Sequence, residues 1–325
     1  MLAFVLRRLL QSTLVLVLMS MLVFVCVFAI GNPADSLVRP QADAAERARV
    51  VLAFGLDLPL WQQYLRFFAK ALGGDLGNSF VYGVSAMGLI VERLPATIEL
   101  AVLALALALV VGIPLGLLAG LRPQGLLGKS IMGLSVLGYS LPTFWVALML
   151  IMLFSVQLGW LPASGRGPAT LLLGMPVSFL SQEGLRHIVM PVINLALFDI
   201  ALVIRLTRSS TREALLHDYV RFARAKGLRN SRIVGVHVLK NILIPLLTVM
   251  GLEFGGLIAF AAVTESVFAW PGIGKLIIDS IRVLDRPVVV AYLLLVVTVF
   301  IVINLVVDCL YCLLDPRMRL NETKG

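Results

Sequence analysis

Residues Arg205 to Pro245 read RLTRSSTREALLHDYVRFARAKGLRNSRIVGVHVLKNILIP, a run that sets Arg205, Arg208, Arg212, Arg221, Arg224, Lys226, Arg229, Arg232 and Lys240 between two long apolar segments. A block so charged cannot lie in hydrocarbon. It faces water, and an excess of Lys and Arg between spans marks the cytoplasmic side. Working outward, the 325-residue chain is 60% hydrophobic and 14% charged, where soluble domains carry about 25% charged residues. Its mean hydropathy of +0.99 excludes an ordinary soluble globule. The net charge of +9 also suits a nucleic-acid binder. However, no basic run is interleaved with stacking aromatics, and the charge falls where membrane orientation explains it. No nucleic-acid partner is expected.

About 20 apolar residues cross a bilayer, and the chain offers six such stretches: Leu9 to Ile30, Ala96 to Leu121, Ile131 to Gln157, Ile188 to Ile204, Ile242 to Ala262 and Val288 to Leu314. The predicted fold is an all-α polytopic membrane protein. Arg7 and Arg8 precede the first stretch. That stretch is longer than the about 7–15 residues of a signal-peptide core and has no clean small-x-small cleavage site, so it reads as a retained anchor. With Arg7 and Arg8 inside, alternation puts Arg122 and Lys129, the Arg205 to Lys240 block, and Arg317, Arg319 and Lys324 inside as well. Both termini are then cytoplasmic. The chain divides into a first helix (1–31), an outer segment (32–93), a membrane core (94–314) containing the cytoplasmic loop 205–241, and a tail (315–325).

The outer segments differ in character. Ala42 to Phe54 and Leu60 to Leu72 are patterned as short amphipathic helices. Pro162 to Arg186 is a loop punctuated by Gly and Pro, and Trp270-Pro271-Gly272-Ile273-Gly274 reads as a rigid turn beside an interfacial tryptophan. Gly112, Gly116 and Gly120, and again Gly251 and Gly255, recur at four-residue spacing, which lets helix backbones approach in lipid. Pro114, Pro142, Pro191 and Pro245 permit kinks.

A carboxylate at mid-membrane costs about 2.5–3.5 kcal/mol on insertion scales, so it must face a partner or a watery cavity. Asp199 and Glu253 lie within the fourth and fifth stretches and are candidate substrate-pathway residues. Pairing with an internal Arg or hydroxyl is the alternative. Glu99 and Asp308 lie nearer span ends, and Asn304 with Asp308 suggests a structural polar contact. Cys309 and Cys312 have no second pair or nearby histidines to complete a metal site, so packing is their reading and no metal site is expected. Gly128-Lys129-Ser130 resembles the end of a phosphate-binding loop, but Pro123 stands where its first glycine belongs. His187, His217 and His237 are scattered, without an H-E-x-x-H or G-x-S-x-G pattern. If the chain moves solute uphill, the energy comes from an ion gradient or from another chain.

Tyr219, Phe222, Ala223, Lys226 and Gly227 follow helical i, i+3, i+4, i+7, i+8 spacing, with Arg221, Arg224 and Arg229 around them. Gly227 is expected to end this helix in a left-handed cap and Ser231 to start the next. A lipid-binding helix wants bulky apolar residues on its face. This one is small and aromatic, and suits a protein groove.

Asp218-Tyr219-Val220-Arg221-Phe222-Ala223-Arg224-Ala225-Lys226-Gly227-Leu228, followed by His237, Leu239, Asn241 and Pro245, resembles the cytoplasmic EAA-type loop of binding-protein-dependent ABC importer permeases, in the dipeptide/oligopeptide/nickel branch. The similarity to B-type dipeptide permease subunits runs along the chain. It includes Phe4 to Leu9, Gly55-Leu56-Asp57, Trp61-Gln62-Gln63-Tyr64, Gly74-Asp75-Leu76-Gly77, Leu94-Pro95-Ala96-Thr97-Ile98-Glu99-Leu100, Gly138-Tyr139-Ser140-Leu141-Pro142, Trp270-Pro271-Gly272 and Asn304 to Asp308. The loop's usual Glu-Ala-Ala is Arg221-Phe222-Ala223 here, and its Ile-x-Leu-Pro is not kept at the usual distance from Gly227.

The resemblance implies a bacterial inner-membrane permease with the type I importer fold. Its helix Arg221 to Gly227, with Tyr219, would seat in a cytoplasmic ATPase. It implies as partners a second, homologous permease, two ATPase subunits and a periplasmic or lipid-anchored binding protein. ATP and magnesium would be bound on the ATPase chains, with no cofactor and no catalytic residue on this one. Peptides are the implied cargo; nickel chelates, glutathione, opines and sugars are alternatives within the same machinery. The rival class is a gradient-driven carrier using Asp199 and Glu253 as an ion or proton relay.

Overall fold

A computed structural model describes residues 2–29, 52, 57–172 and 174–314. The expected helix Ala42 to Phe54, apart from Leu52, and the tail 315–325 lie outside the described residues. The helices are α1 (Leu2–Ala29), α2 (Leu60–Leu72), α3 (Ala86–Leu121), α4 (Leu126–Ser140), α5 (Thr143–Leu150), α6 (Gln182–Ala214), α7 (Asp218–Ala225), α8 (Asn230–Arg232), α9 (Leu239–Val267), α10 (Ile273–Arg282) and α11 (Arg286–Leu314). A π-helical turn, Ile151–Gln157, continues α5, and another, Ile233–Val238, joins α8 to α9. The loop between α5 and α6 holds a two-stranded antiparallel hairpin, β1 (Thr170–Leu172) with β2 (Met175–Val177), in which Leu171 pairs with Pro176.

Among the described residues, five helical segments are long and apolar enough to cross a membrane: Arg7–Cys26, Ala86–Leu121, Gln182–Ala214, Pro245–Val267 and Arg286–Val307. The third expected span is not one straight helix. It is the pair α4 and α5 with its π-helical extension, bent by 102° at a short break. The cause is local: Leu141 is extended at φ −79°, ψ 132°, and Pro142 follows at φ −61°, ψ 130°. A residue before proline is driven out of the α region, so the first helix stops there and proline begins the next. Pro95 and Pro114 in α3, Pro191 in α6 and Pro245 in α9 are instead accommodated inside continuous helices.

The chain forms two compact units, one of residues 1–93 and 276–301, the other of residues 94–275 and 302–325. In the first, α1 and α2 pack through Phe24 against Tyr64 and Phe67, with ring centroids 5.5 and 5.6 Å apart. Ser20 Oγ and the Tyr64 hydroxyl share a 2.9 Å hydrogen bond. Asp285, fully buried, accepts from Ser79 Oγ at 2.5 Å and from the Phe80 amide at 3.1 Å.

In the second unit the glycine stripe of α3 lies on α6. A Cβ built at Gly112, Gly116 or Gly120 would fall 2.6, 2.5 or 2.8 Å from atoms of Val203, Thr207 and Thr211 respectively. The two four-residue rows therefore mesh backbone to side chain, which is how helices associate where lipid removes the hydrophobic drive between them. Gly251 meets Val307 of α11 in the same way, with a built Cβ 2.4 Å from Val307 Cγ2. Ala108, Val203, Leu246 and Met250 close the core among α3, α6 and α9.

Gly116→Val is expected to cost about 1–3 kcal/mol through overpacking against Thr207. It should lower the thermal unfolding midpoint of the detergent-purified protein. Gly133→Ala lies mid-helix where a Cβ meets nothing within 4 Å; it should not lower the midpoint, and the lost freedom of the unfolded chain should raise it slightly.

Candidate functional site: a coupling surface and membrane-buried carboxylates

The basic segment folds as a short arm held by a small core. After α6 ends at Ala214, a turn through Leu215 and Leu216 leads to His217, whose extended backbone (φ −68°, ψ 148°) opens α7. Val220 and Ala223, three apart on one face of α7, bury against Ala214, Ile233, Val238 and Ile242. Tyr219 and Leu228 pack on the edge of that cluster. The opposite face carries Arg221, Phe222, Arg224, Ala225 and Lys226, all exposed.

This differs from the single face expected from spacing, because Ala223 turns inward with Val220 while Phe222 and Lys226 turn outward. The helix begins at Asp218 and is only two turns long, so its single apolar pair claims the core. Phe222 is 62% exposed, and the Lys226 ammonium lies 4.6 Å from its ring centroid. Asp218, Tyr219, Arg221, Phe222 and Ala225 line a shallow depression.

Gly227 terminates the arm at φ +75°. Its amide donates to Arg224 O at 2.9 Å, and the Leu228 amide donates to Ala223 O at 3.2 Å. These are the two bonds of a Schellman cap, completed by the apolar contact of Leu228 with the cluster that holds Ala223. Ser231 does not start the next helix: Arg229 precedes α8, whose first residue is Asn230. Nor is the whole basic block free in water. The Arg205 guanidinium stacks 4.2 Å from the centroid of Tyr139, which itself stacks on Phe198 at 4.6 Å.

Asp199, on α6, is 2% exposed, and its carboxylate interacts electrostatically with that of Glu253 on α9. Among the described residues neither carboxylate makes a hydrogen bond or an ion pair. No Arg or hydroxyl of the described residues neutralises them. The pair therefore places two carboxyl groups without hydrogen-bond partners among the described residues inside the spanning region. Asn304 Oδ1 is buried without a hydrogen-bond partner among the described residues. The side chain of Asp308 lies outside them, so the expected Asn304–Asp308 contact does too.

Two further carboxylates hold loops, and one of them escaped the reading of the chain altogether. Glu265, fully buried at the end of α9, accepts from Thr97 Oγ1 at 2.6 Å and from the Lys275 amide at 2.9 Å. Thr97 Oγ1 in turn accepts from the Ile273 amide at 2.9 Å, so the start of α10 is capped by side chains of α9 and α3. Trp270 is fully buried and not interfacial; its indole N–H donates to Ala96 O at 3.0 Å. Glycine is required at 272, where a Cβ would sit 2.3 Å from the Glu265 carboxyl. The available signal was a carboxylate five residues before Trp270, too polar for the end of an apolar span unless bound.

Glu99, in α3, accepts from the amides of Ser178 and Phe179 at 2.6 and 3.1 Å, and from Ser178 Oγ at 2.9 Å. Arg166 donates to Glu99 at 2.6 Å and to Pro176 O at 2.6 Å, and lies 5.5 Å from the Trp270 ring centroid. Together these bonds tie the hairpin loop to the membrane core.

The chain matches the family described as "Binding-protein-dependent transport system inner membrane component" over residues 112–320, and the corresponding N-terminal family over residues 1–101. It belongs to that family. It is 39% identical over 336 residues to the dipeptide transport system permease protein DppB of Escherichia coli (strain K12), covering 98% of this chain and 99% of that one. Identity to the di/tripeptide transport system permease protein DppB of Pseudomonas aeruginosa (strain UCBPP-PA14) is 41% over 302 residues, covering 89% and 90%. The oligopeptide transport system permease protein AppB of Bacillus subtilis (strain 168) is 36% identical, covering 98% and 99%. In fold, the structure is similar to a chain of the MetNI methionine ABC transporter in an inward-facing conformation, with a TM-score of 0.56 at 17% identity, covering 70% of this chain and 97% of that one. The permease is thus a multi-pass inner-membrane component of a binding-protein-dependent transport system.

Glu99→Ala leaves Arg166 half-partnered and buried, a loss of about 3–5 kcal/mol for a broken buried pair. A clearly lowered unfolding midpoint in detergent is the expected result. Asp218→Ala, which removes only the exposed Asp218–Arg221 contact of 3.5 Å, should leave it unmoved.

Proposed function

We propose that this permease forms half of the pathway of an ATP-driven importer of di- and oligopeptides. ATP and magnesium are bound by two cytoplasmic ATPase subunits and not by this chain, which supplies neither a nucleotide site nor a catalytic residue. A second, homologous permease completes the pathway, and a periplasmic or lipid-anchored binding protein delivers the cargo. Both termini and the arm 205–241 lie on the cytoplasmic side. The peptide cargo is supported by the permeases of similar length and sequence that are named for dipeptides, di/tripeptides and oligopeptides.

The observation that carries the coupling role is the exposed aromatic and basic face of α7, held from behind by Val220 and Ala223 and stopped by Gly227. Protein interfaces draw their energy from a few aromatic and arginine anchors, and Phe222 flanked by Arg221, Arg224 and Lys226 offers that chemistry. Because Ala223 and Val220 share a cluster with Ala214 of α6 and Ile242 of α9, a push on α7 reaches two spanning helices directly. ATP-driven closure of the ATPases then draws the arms of the two permeases together and opens the pathway outward. Asp199 and Glu253 line that pathway and receive the positively charged amino end of the peptide.

In the reconstituted importer, Phe222→Ala should lower peptide uptake by about tenfold or more, as expected for truncation of an interface anchor. Gly227→Val strains a left-handed residue and should reduce uptake and substrate-stimulated ATP hydrolysis together while the subunits still copurify. Normal uptake and stimulated hydrolysis in both variants would refute the coupling assignment. Uptake by the permease alone under an ion gradient, without ATPase subunits, would replace it with the gradient-driven reading of Asp199 and Glu253.

A further inference from the structure

The 102° break in the third span has a local cause at Leu141 and Pro142, but that cause stops one helix without aiming the next. The aim comes from packing, and both limbs pack on α6. Before the break, α4 lies on the part of α6 nearer the arm: Ile131 shares a cluster with Ile204, and a Cβ built at Gly138 would touch Leu197 at 3.5 Å. After the break, α5 is held elsewhere, by Ala147 against Met190 of α6 and against Phe268, which follows α9. Pro191 separates the two anchor points. It removes a backbone hydrogen bond from α6, whereas Val192 to Ala214 contains neither Pro nor Gly. That stretch behaves as one rigid rod, so a shift of it displaces α4 relative to α5.

Tyr139, just before the break, is tied to this rod by its ring. The ring stacks on Phe198 at 4.6 Å and lies under the Arg205 guanidinium at 4.2 Å, touching α6 at two levels about two turns apart. Neither ring belongs to the core, since Tyr139 and Phe198 are 43% and 39% exposed. Arg205 makes no hydrogen bond or ion pair among the described residues. A guanidinium at the end of a spanning stretch is costly without a partner, and the face of an aromatic ring supplies one. With their edges open, the rings owe their placement to one another and to Arg205.

The far end of the rod is Ala214, which shares the arm's cluster with Val220 and Ala223 of α7. We propose that Tyr139 and Arg205 are positioning residues that join the arm to the broken span. Displacement of α7 moves Val192 to Ala214 as a unit, Phe198 and Arg205 carry Tyr139 with them, and the angle at Leu141 and Pro142 changes while α5 stays with Met190. This joint rests on the coupling role proposed for α7.

The test uses the complete importer, with Cys26→Ser, Cys309→Ser and Cys312→Ser in the permease. Nitroxides are attached at Leu134→Cys in α4 and Leu148→Cys in α5, two exposed positions on either side of the break. Pulsed dipolar spectroscopy measures their separation without nucleotide and after trapping with ATP and vanadate. Trapping should shift the distance; Tyr139→Phe, which keeps the ring, should retain the shift, and Tyr139→Leu and Arg205→Gln should each lose it. Peptide uptake should fall about three- to thirtyfold in the last two variants, the range that a cation–ring contact supports. Combining them should cost no more than either alone, because both remove the same contact. If Tyr139→Leu does not assemble, Arg205→Gln carries the distance test by itself. A distance that does not move on trapping, a full shift in Arg205→Gln, or losses that add in the double variant would each overturn the proposal. Failure of the coupling role looks different: Phe222→Ala would then keep the full shift while Tyr139→Leu loses it.

Discussion

Glu265 is the interaction on which the end of the membrane core depends. Its carboxylate accepts from Thr97 of α3 and from the amide of Lys275, while Thr97 takes the amide of Ile273. Three segments distant in sequence thus meet at one carboxyl group with no exposure to solvent. Burying a carboxylate is costly unless its lone pairs are taken up, so the chain around this one has little freedom. Gly272 must lack a side chain because the carboxyl occupies its place, and Trp270 is drawn inward to the carbonyl of Ala96. Glu99 repeats the device for the hairpin loop, gathering two amides, a hydroxyl and Arg166 around one side chain.

The unpartnered carboxylates have a different logic. Where Glu99 and Glu265 are spent on backbone amides, Asp199 and Glu253 interact electrostatically without hydrogen bonds among the described residues. The contrast separates carboxylates bound to backbone and side-chain donors from those that make no hydrogen bond among the described residues. The arm of α7 shows a comparable division on a smaller scale, with Val220 and Ala223 used for anchoring and Phe222, Arg221, Arg224 and Lys226 left outward.

Much of this was legible in the chain. Apolar stretches of spanning length marked the crossings, the helix Leu60–Leu72 followed from its pattern, and Gly227 as a left-handed stop followed from its place after a basic, amphipathic turn. The four-residue glycine spacing announced close helix contacts, though not that Val203, Thr207 and Thr211 would receive them. The 102° break at Leu141 and Pro142 was marked by a proline, but four prolines inside intact helices carried the same mark. What distinguishes them is whether neighbouring helices and side chains can donate to the freed carbonyls, and that is not a local property. Trp270 was misread as interfacial for the same reason: an indole at a span end looks alike whether its N–H meets water or Ala96.

By itself the sequence determined what hydrophobicity, charge and short-range periodicity can determine: an all-helical membrane protein, the number of its apolar stretches, the amphipathic helix Leu60–Leu72 and its basic arm. These properties depend on residues within one or two turns of each other, or on the free energy of moving a segment into lipid. The tertiary structure alone decided which polar groups meet. That Glu265 caps α10, that Glu99 binds the hairpin loop, that Ala223 turns inward while Phe222 faces out, and that Asp199 lies near Glu253 all depend on contacts between distant segments. In a medium that cannot satisfy a buried polar atom, those contacts, and not the identity of the residue, separate a carboxylate bound within the fold from one left without a hydrogen bond.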